Sequence, residues 1–204
     1  MIGFYNYTVI LTYIGTFFGF LGITFSWSGN TKAALICLMA AGFCDMFDGK
    51  VASTMKRTKQ EKRFGVQIDS LSDLVCFGVL PALIVFPCTE GKPLHIVVCA
   101  AYVLCALIRL AWFNVDEEER QDREDKGREV YTGLPVTTSA MLLPVGMAAM
   151  NLLSLSVAKL SVCLIAVIAV AFITPFKLKK PGKIGKILVI LCGIGAVALV
   201  AMGI

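Results

Sequence analysis

The chain has 204 residues, 57% of them hydrophobic and 16% charged, with a mean hydropathy of +0.80 and a formal net charge of +5. A soluble domain of this length carries about a quarter charged residues. The composition therefore excludes an ordinary water-soluble fold and points to an all-α, polytopic membrane bundle, read as a single domain over residues 1–204. The basic residues gather at the ends of apolar runs rather than on one contiguous face, which argues against nucleic acid as the partner.

Tyr7 to Trp27 reads as the first span: it is uncharged, with Tyr5, Tyr7 and Trp27 at the depth where aromatic belts lie. No basic segment followed by a small-residue cleavage site precedes it, so this span is expected to insert uncleaved. Ser28-Gly29-Asn30 is a turn signal. The second span starts near Thr31, stays apolar through Cys44, and continues as a helix that carries Asp45 and Asp48 out of the membrane. Met55 to Phe64 is strongly basic and reads as a surface loop or a frayed helix end. The third span is expected from about Gln67 to Pro87, with Asp69 and Asp73 in its first turns.

Leu94 to Val115 is the fourth span and contains Arg109, the one basic residue well inside a span. Asp116 to Glu129 holds eight acids against four bases and reads as a solvated loop. Gly133-Leu134-Pro135 opens the fifth span, which runs to about Leu153, and the sixth covers about Val157 to Phe176. Lys177 to Lys186 is a basic connector suited to anionic lipid. Ile187 to Ile204 is the last span, 18 residues and barely long enough. The expected count is seven spans.

Lysine and arginine set the orientation. Alternate loops carry six (50–63), four (120–128) and five (177–186), whereas the opposite loops carry only Lys32, Lys92 and Lys159. The N-terminus and the aspartate loop are thus expected on the cytoplasmic side of the membrane (the plasma or inner membrane in a bacterium). An odd span count places the C-terminus outside. Nearly all of the eight cysteines fall within apolar runs, and none forms a C-x-x-C pair, so they read as packing residues.

The stretch that carries chemistry is Asp45 to Asp73. Only six of the 14 acidic residues lie outside the 116–129 run, and four of those six are Asp45, Asp48, Asp69 and Asp73. Residues three or four apart share a helix face. Each pair therefore points one way, and two antiparallel helices joined by a short loop bring all four carboxylates together. Helix-end carboxylates are the plainer reading. That suits Asp69 at a helix start, but not Asp45 and Asp48 near a C-terminal end, where the dipole opposes them. Four clustered carboxylates need positive charge among them. Hard oxygen donors suit Mg²⁺, Mn²⁺ or Ca²⁺, and a pair of such ions can clamp a phosphoryl group. Gly49 and Ala52 keep the edge of the first helix low, and Gly65 does the same for the second, leaving a phosphate-sized notch.

The pattern D-x-x-D-G-x-x-A followed by G-x-x-x-D-x-x-x-D resembles the signature of the CDP-alcohol phosphotransferases, with Asp45, Asp48, Gly49, Ala52, Gly65, Asp69 and Asp73 at its fixed positions. Residues 61–73 (EKRFGVQIDSLSD), 109–114 (RLAWFN) and 131–138 (YTGLPVTT) resemble its integral-membrane, serine-accepting branch. The resemblance implies transfer of a phosphatidyl group from CDP-diacylglycerol to the hydroxyl of L-serine, with release of CMP. It implies Asp45, Asp48 and Asp69 as ligands of a divalent metal, and Asp73 as a contributor to a second metal and the general base. It also implies a homodimer. Gly49, Ala52, Ser53, Lys56 and Gly65 form the implied nucleotide- and lipid-facing set. Ser53 stands where the family has arginine, and Lys56 or Arg57 is the available substitute.

Arg109 offers a fork for the serine carboxylate or a structural pair. Asn114 reads as a helix cap or a serine contact. Two other functions remain open on sequence. One is a family member with glycerol 3-phosphate, inositol or inositol phosphate as acceptor, which would call for more converging arginines. The other is a divalent-metal transporter, which would place its carboxylates nearer the midplane.

Overall fold

The computed structural model describes residues 2–89, 92–123 and 130–179, together with helical positions at 193, 195, 196, 198 and 200. Its helices are α1 (Ile10–Trp27), α2 (Thr31–Ala52), α3 (Lys59–Asp73), α4 (Leu80–Val85), α5 (Pro93–Arg123), α6 (Ser139–Leu152) and α7 (Val157–Ile173). Two three-residue strands, β1 (Val130–Thr132) and β2 (Lys177–Lys179), pair antiparallel, with Tyr131 opposite Leu178. Among the described residues, three helices are long and apolar enough to cross a membrane: Tyr7–Trp27, Lys59–Val85 and Pro93–Glu119. Val136–Leu152 and Val157–Ile173 are shorter apolar helices.

The α1–α2 turn forms where the sequence placed it, and the Asn30 side chain caps α2 by accepting from the Ala33 N–H at 3.1 Å. α3 begins at Lys59, eight residues before the expected start at Gln67. Thr58 and Glu61 explain this: they form a reciprocal capping box that nucleates the helix inside the basic run. The expected loop at 55–64 therefore shrinks to residues 53–58.

Between α3 and α4 the rod continues through a π-helical segment, Leu74–Val79, in which the Leu80 N–H reaches back to the Val75 carbonyl. Pro81 lies just beyond and has no N–H to return to the preceding turn. The Phe77 carbonyl instead accepts the Tyr102 hydroxyl at 2.8 Å, while the Ser139 hydroxyl, which donates to the Val136 carbonyl at 2.8 Å, lies 3.4 Å away. Left unpaired in the core, such a carbonyl costs about 1–3 kcal/mol. The Tyr102 hydroxyl thus binds α5 to the rod, with the start of α6 beside it. Tyr102 and Phe77 are fully buried, and the Tyr102 ring lies 5.4 Å from that of Phe172 on α7. Leu35, Leu38, Leu80, Ile84, Leu143 and Ile165 complete this core. Phe17, Phe20, Phe43, Trp112 and Val167 point outward, as side chains facing lipid do.

α5 departs further from expectation. Its 31 residues continue to Arg123, so Asp116–Arg123 is helix rather than loop. At 1.5 Å per residue it extends about 46 Å, well past an apolar layer of about 30 Å. Glutamate and arginine are good helix formers, and Glu118 pairs with Arg63 of α3. Residues 177–179 of the basic connector are strand, and the span expected at 187–204 lies largely outside the described residues. No disulfide links the described cysteines; Cys37, Cys44, Cys76 and Cys99 are buried in the packing.

Gly133 precedes α6 with φ +76°, and its N–H donates to the Phe176 carbonyl at 2.7 Å. A Cβ here would lie 3.1 Å from the Thr174 carbonyl oxygen and 3.2 Å from that of Phe172. Gly133→Ala is therefore expected to destabilise the protein by about 1–3 kcal/mol, through backbone strain and crowding together. Thermal unfolding in detergent measures this. An unchanged midpoint would mean that the turn relaxes freely.

Candidate active site

α2 ends because its last hydroxyls turn back on the helix. Ser53 Oγ donates to the Lys50 carbonyl and Thr54 Oγ1 to the Val51 carbonyl, each at 2.7 Å. Six residues later the Thr58–Glu61 box starts α3 in the opposite direction. This short reversal sets the carboxylates of the two helices face to face. Asp45 and Asp73 lie within hydrogen-bond reach of each other, as do Asp48 and Asp69. The outer residue of one helix thus meets the outer residue of the other, and the inner meets the inner.

One oxygen from each of Asp45, Asp48 and Asp69 lies within 4.8 Å of the other two. Oxygens bound to one cation at 2.0–2.6 Å can stand at most about 4–5 Å apart, so these three fit one hard divalent ion. Asp73 is outside that triplet and more enclosed, with 9% of its surface exposed. All four line a narrow cleft of about 10 Å³, room for one water- or ion-sized sphere. Leu11, Thr12 and Gly15 of α1 form its opposite wall.

α1 reaches this wall because it carries glycine where it crosses the rod. A Cβ on Gly19 would lie 2.6 Å from Cys76 Sγ. Two turns earlier on α1, Thr12 Oγ1 donates to Asp48 Oδ2 of α2 at 3.3 Å, and one turn earlier the Thr16 and Ser72 hydroxyls stand 2.7 Å apart. From the other side, α5 meets α3 where the Ser70 hydroxyl donates to Asn114 Oδ1 at 2.6 Å. Ser70 and Ser72 thus tie the backbone flanking Asp69 and Asp73 to two neighbouring helices.

The remaining predicted residues fall as follows. Gly49 is exposed, with nothing within 4 Å of the space a Cβ would fill. Ala52 closes α2, and Ser53 and Lys56 are exposed on the loop. Gly65 is covered by Arg57, whose Nη1 lies 3.0 Å from where its Cβ would be. Of the two basic candidates to replace the expected arginine, Arg57 is therefore the one packed against α3. The N-terminal segment braces the same loop: Asn6 donates to Glu61 at 3.2 Å, Tyr7 and Thr54 share a hydrogen bond of 3.1 Å, and the Phe4 and Phe64 rings meet at 5.3 Å.

Arg109 is buried, with Nε donating to the Leu134 carbonyl at 3.2 Å and its guanidinium 5.8 Å from the Phe113 ring. Along the same face of α5, Ala106 approaches Gly78 and Asn114 meets Ser70. Arg109 falls between these two contacts along α5, with its side chain turned to the Leu134 carbonyl. Asn114 does not cap a helix: α5 runs nine residues past it, to Arg123, and its side chain serves the Ser70 contact instead. Thr12, Thr16, Ser70 and Ser72 were not singled out from the sequence. The available signal was weak: two threonines one turn apart, on a helix edge marked by glycines.

Comparison with known proteins bears on this geometry. The family model for CDP-alcohol phosphatidyltransferase matches residues 5–175. Over 135 residues the chain is 32% identical to a CDP-diacylglycerol–serine O-phosphatidyltransferase from Mycobacterium tuberculosis, a match covering 66% of this chain and 46% of the relative. An archaetidylserine synthase from Methanothermobacter thermautotrophicus is 33% identical, covering 66% and 54%. A CDP-diacylglycerol–serine O-phosphatidyltransferase from Saccharomyces cerevisiae is 38% identical over 109 residues, covering 52% and 38%. The chain thus spans about half the length of these curated relatives. The family match takes in both aspartate pairs, the loop between them and the helices that close around them, and the chain belongs to the CDP-alcohol phosphatidyltransferase family.

Proposed function

We propose that the chain transfers the phosphatidyl group of CDP-diacylglycerol to the hydroxyl of L-serine, giving phosphatidylserine and CMP. The observation that carries this reading is the carboxylate hairpin: three oxygens within one cation's reach and a fourth, more enclosed carboxylate beside them. The names of the relatives support serine as the acceptor. Asp45, Asp48 and Asp69 would hold a divalent cation, with Asp73 contributing to a second (Mg²⁺ or Mn²⁺, with Ca²⁺ as a further fit); the cations would neutralise charge on the transferring phosphoryl group.

The chain's own residues do the rest. Gly49 and Ala52 leave the α2 edge low, so that the nucleotide lies along it. Gly65, Lys56 and Arg57 face the diphosphate from the loop side, with Ser53 at the helix end between them. The serine oxygen attacks the phosphorus that bears diacylglycerol, and Asp73 takes the hydroxyl proton. The bond from that phosphorus to the oxygen of CMP breaks, and CMP leaves with the electron pair. The carboxylates fix the reacting groups in line, which converts an encounter of two substrates into an intramolecular step.

Arg109 and Asn114 form the serine side of the site, with Asn114 held against Ser70, the neighbour of Asp69. Arg109→Ala is expected to raise the KM for serine about tenfold, and the KM for the lipid much less, because the lost fork faces the amino acid's carboxylate. Equal effects on both constants would reduce Arg109 to a support for the Leu134 turn.

The lysine and arginine asymmetry supports a hairpin and an N-terminus on the cytoplasmic side, and the apolar runs support a single seven-span domain, which would put the C-terminus outside (of the plasma or inner membrane if the protein is bacterial). In this reading the protein is a homodimer, with lipid tails resting between the helices. The archaeal relative favours one variant of the donor, an archaetidyl rather than a phosphatidyl group. Incubation of purified protein with isotope-labelled L-serine and either CDP-lipid tests both. Label in a phosphatidylserine product supports the proposal. Label only in the archaetidyl product would change the donor, and label in neither lipid would overturn the reading.

A further inference from the structure

We propose that Thr12 of α1 is a positioning residue for Asp48: its hydroxyl fixes the rotation of the Asp48 carboxylate and so sets the affinity of the hairpin for its cation. The inference rests on the reading that these carboxylates hold a divalent ion. It begins from where Thr12 sends its proton. A threonine in an apolar helix usually returns its hydroxyl to a carbonyl one turn back. Thr16 does so toward the Thr12 carbonyl at 2.8 Å, and Thr24 toward the Leu21 carbonyl at 2.8 Å. Thr12 instead donates across the helix interface to Asp48 Oδ2 at 3.3 Å.

Thr12 is itself held firmly. It is 7% exposed, so bulk water does not compete for the bond. Its carbonyl accepts from Thr16 and, at 3.4 Å, from the Ser72 hydroxyl, one residue before Asp73. A position on α1 is thereby registered against α3 while its side chain reaches α2. An aspartate carboxylate turns easily about its last torsion. A hydrogen bond from a fixed donor removes that freedom and orients the oxygens toward the ion. Such partners of ligating carboxylates typically change metal affinity by about 10–100-fold.

The test uses the purified protein and Mn²⁺ alone, titrated by electron paramagnetic resonance without nucleotide or lipid. Thr12→Val keeps the shape and removes the hydroxyl, and Thr12→Ser keeps the hydroxyl. Thr24→Val removes a hydroxyl bonded only to its own helix. The expected result is Mn²⁺ binding about 10–100-fold weaker in Thr12→Val, near wild type in Thr12→Ser, and unchanged in Thr24→Val. CMP release by Thr12→Val should recover at saturating Mn²⁺, with the midpoint of thermal unfolding in EDTA close to wild type. Wild-type Mn²⁺ affinity in Thr12→Val, or a loss in Thr12→Ser as large as in Thr12→Val, would overturn the proposal. If Thr12→Val does not fold, Thr12→Ala against Thr12→Ser decides the same question. Absence of Mn²⁺ binding in the wild-type chain would overturn the cation reading itself, an outcome distinct from a Thr12 variant that matches a binding wild type.

Discussion

Asp73→Asn is expected to lower serine-dependent CMP release about 10²–10⁴-fold, the range general base catalysis supplies, while leaving CDP-diacylglycerol binding within about twofold. Asparagine has nearly the same shape and keeps hydrogen-bonding capacity, but it cannot take a proton at neutral pH. The position of Asp73 separates its role from those of the other three. It is the carboxylate outside the triplet of mutually close oxygens, and it lies deepest in the cleft, within reach of Asp45. A base must come within hydrogen-bond distance of the serine hydroxyl once the cation and nucleotide are in place. Asp45, Asp48 and Asp69 face one another, whereas Asp73 lines the same cleft outside that triplet. Single-turnover CMP release, with equilibrium binding of the CDP-lipid measured in parallel, separates chemistry from binding. Survival of turnover in the variant would assign the proton to another group.

The second large effect couples activity to stability. Asp69→Asn is expected to abolish measurable turnover yet to raise the thermal midpoint in EDTA by about 2–4 °C, the shift that about 1 kcal/mol produces in a chain of this size. Four carboxylates share one cleft, and Asp48 lies within hydrogen-bond reach of Asp69. Without a cation their charges repel one another. A neutral amide at position 69 removes part of that repulsion and gives Asp48 a donor. Mn²⁺ should then stabilise the wild-type chain, because a ligand that binds only the folded form adds stability by mass action. The variant should gain little. This is the trade-off expected where a site is built for its ligand rather than for the fold. A variant less stable than wild type in EDTA would show that the carboxylates are not in conflict when bare.

The parts legible in the sequence were those carried by local pattern. The i, i+3 and i, i+4 spacing of Asp45/Asp48 and Asp69/Asp73 put each pair on one face, and the short basic loop between them implied the hairpin that the structure contains. The early start of α3 was also present in the sequence, as Thr58 and Glu61 at capping-box spacing, but the surrounding run of lysine and arginine outweighed it. Asn114 looked like a cap because the charged run after Val115 looked like a loop. Once α5 is seen to continue to Arg123, the same side chain becomes an interior contact to Ser70. The π segment before Pro81 and the Tyr102 hydroxyl that satisfies Phe77 depend on packing between α4 and α5, which no local signal reports. Thr12 is the clearest case: it is 36 residues from Asp48 in the chain, and the packing of α1 on α2, where a Cβ on Gly15 would lie 3.4 Å from Cys44 Cβ, brings them together.

CMP release by purified protein supplied with CDP-diacylglycerol and Mn²⁺ or Mg²⁺ tests the proposed reaction. L-serine is compared as acceptor with glycerol 3-phosphate, inositol and inositol 1-phosphate, each with and without EDTA. Release is expected to require serine, to be lost on chelation and to return with added Mn²⁺ or Mg²⁺. Release driven by another acceptor, or serine-dependent release that persists in EDTA, would contradict the proposed reaction.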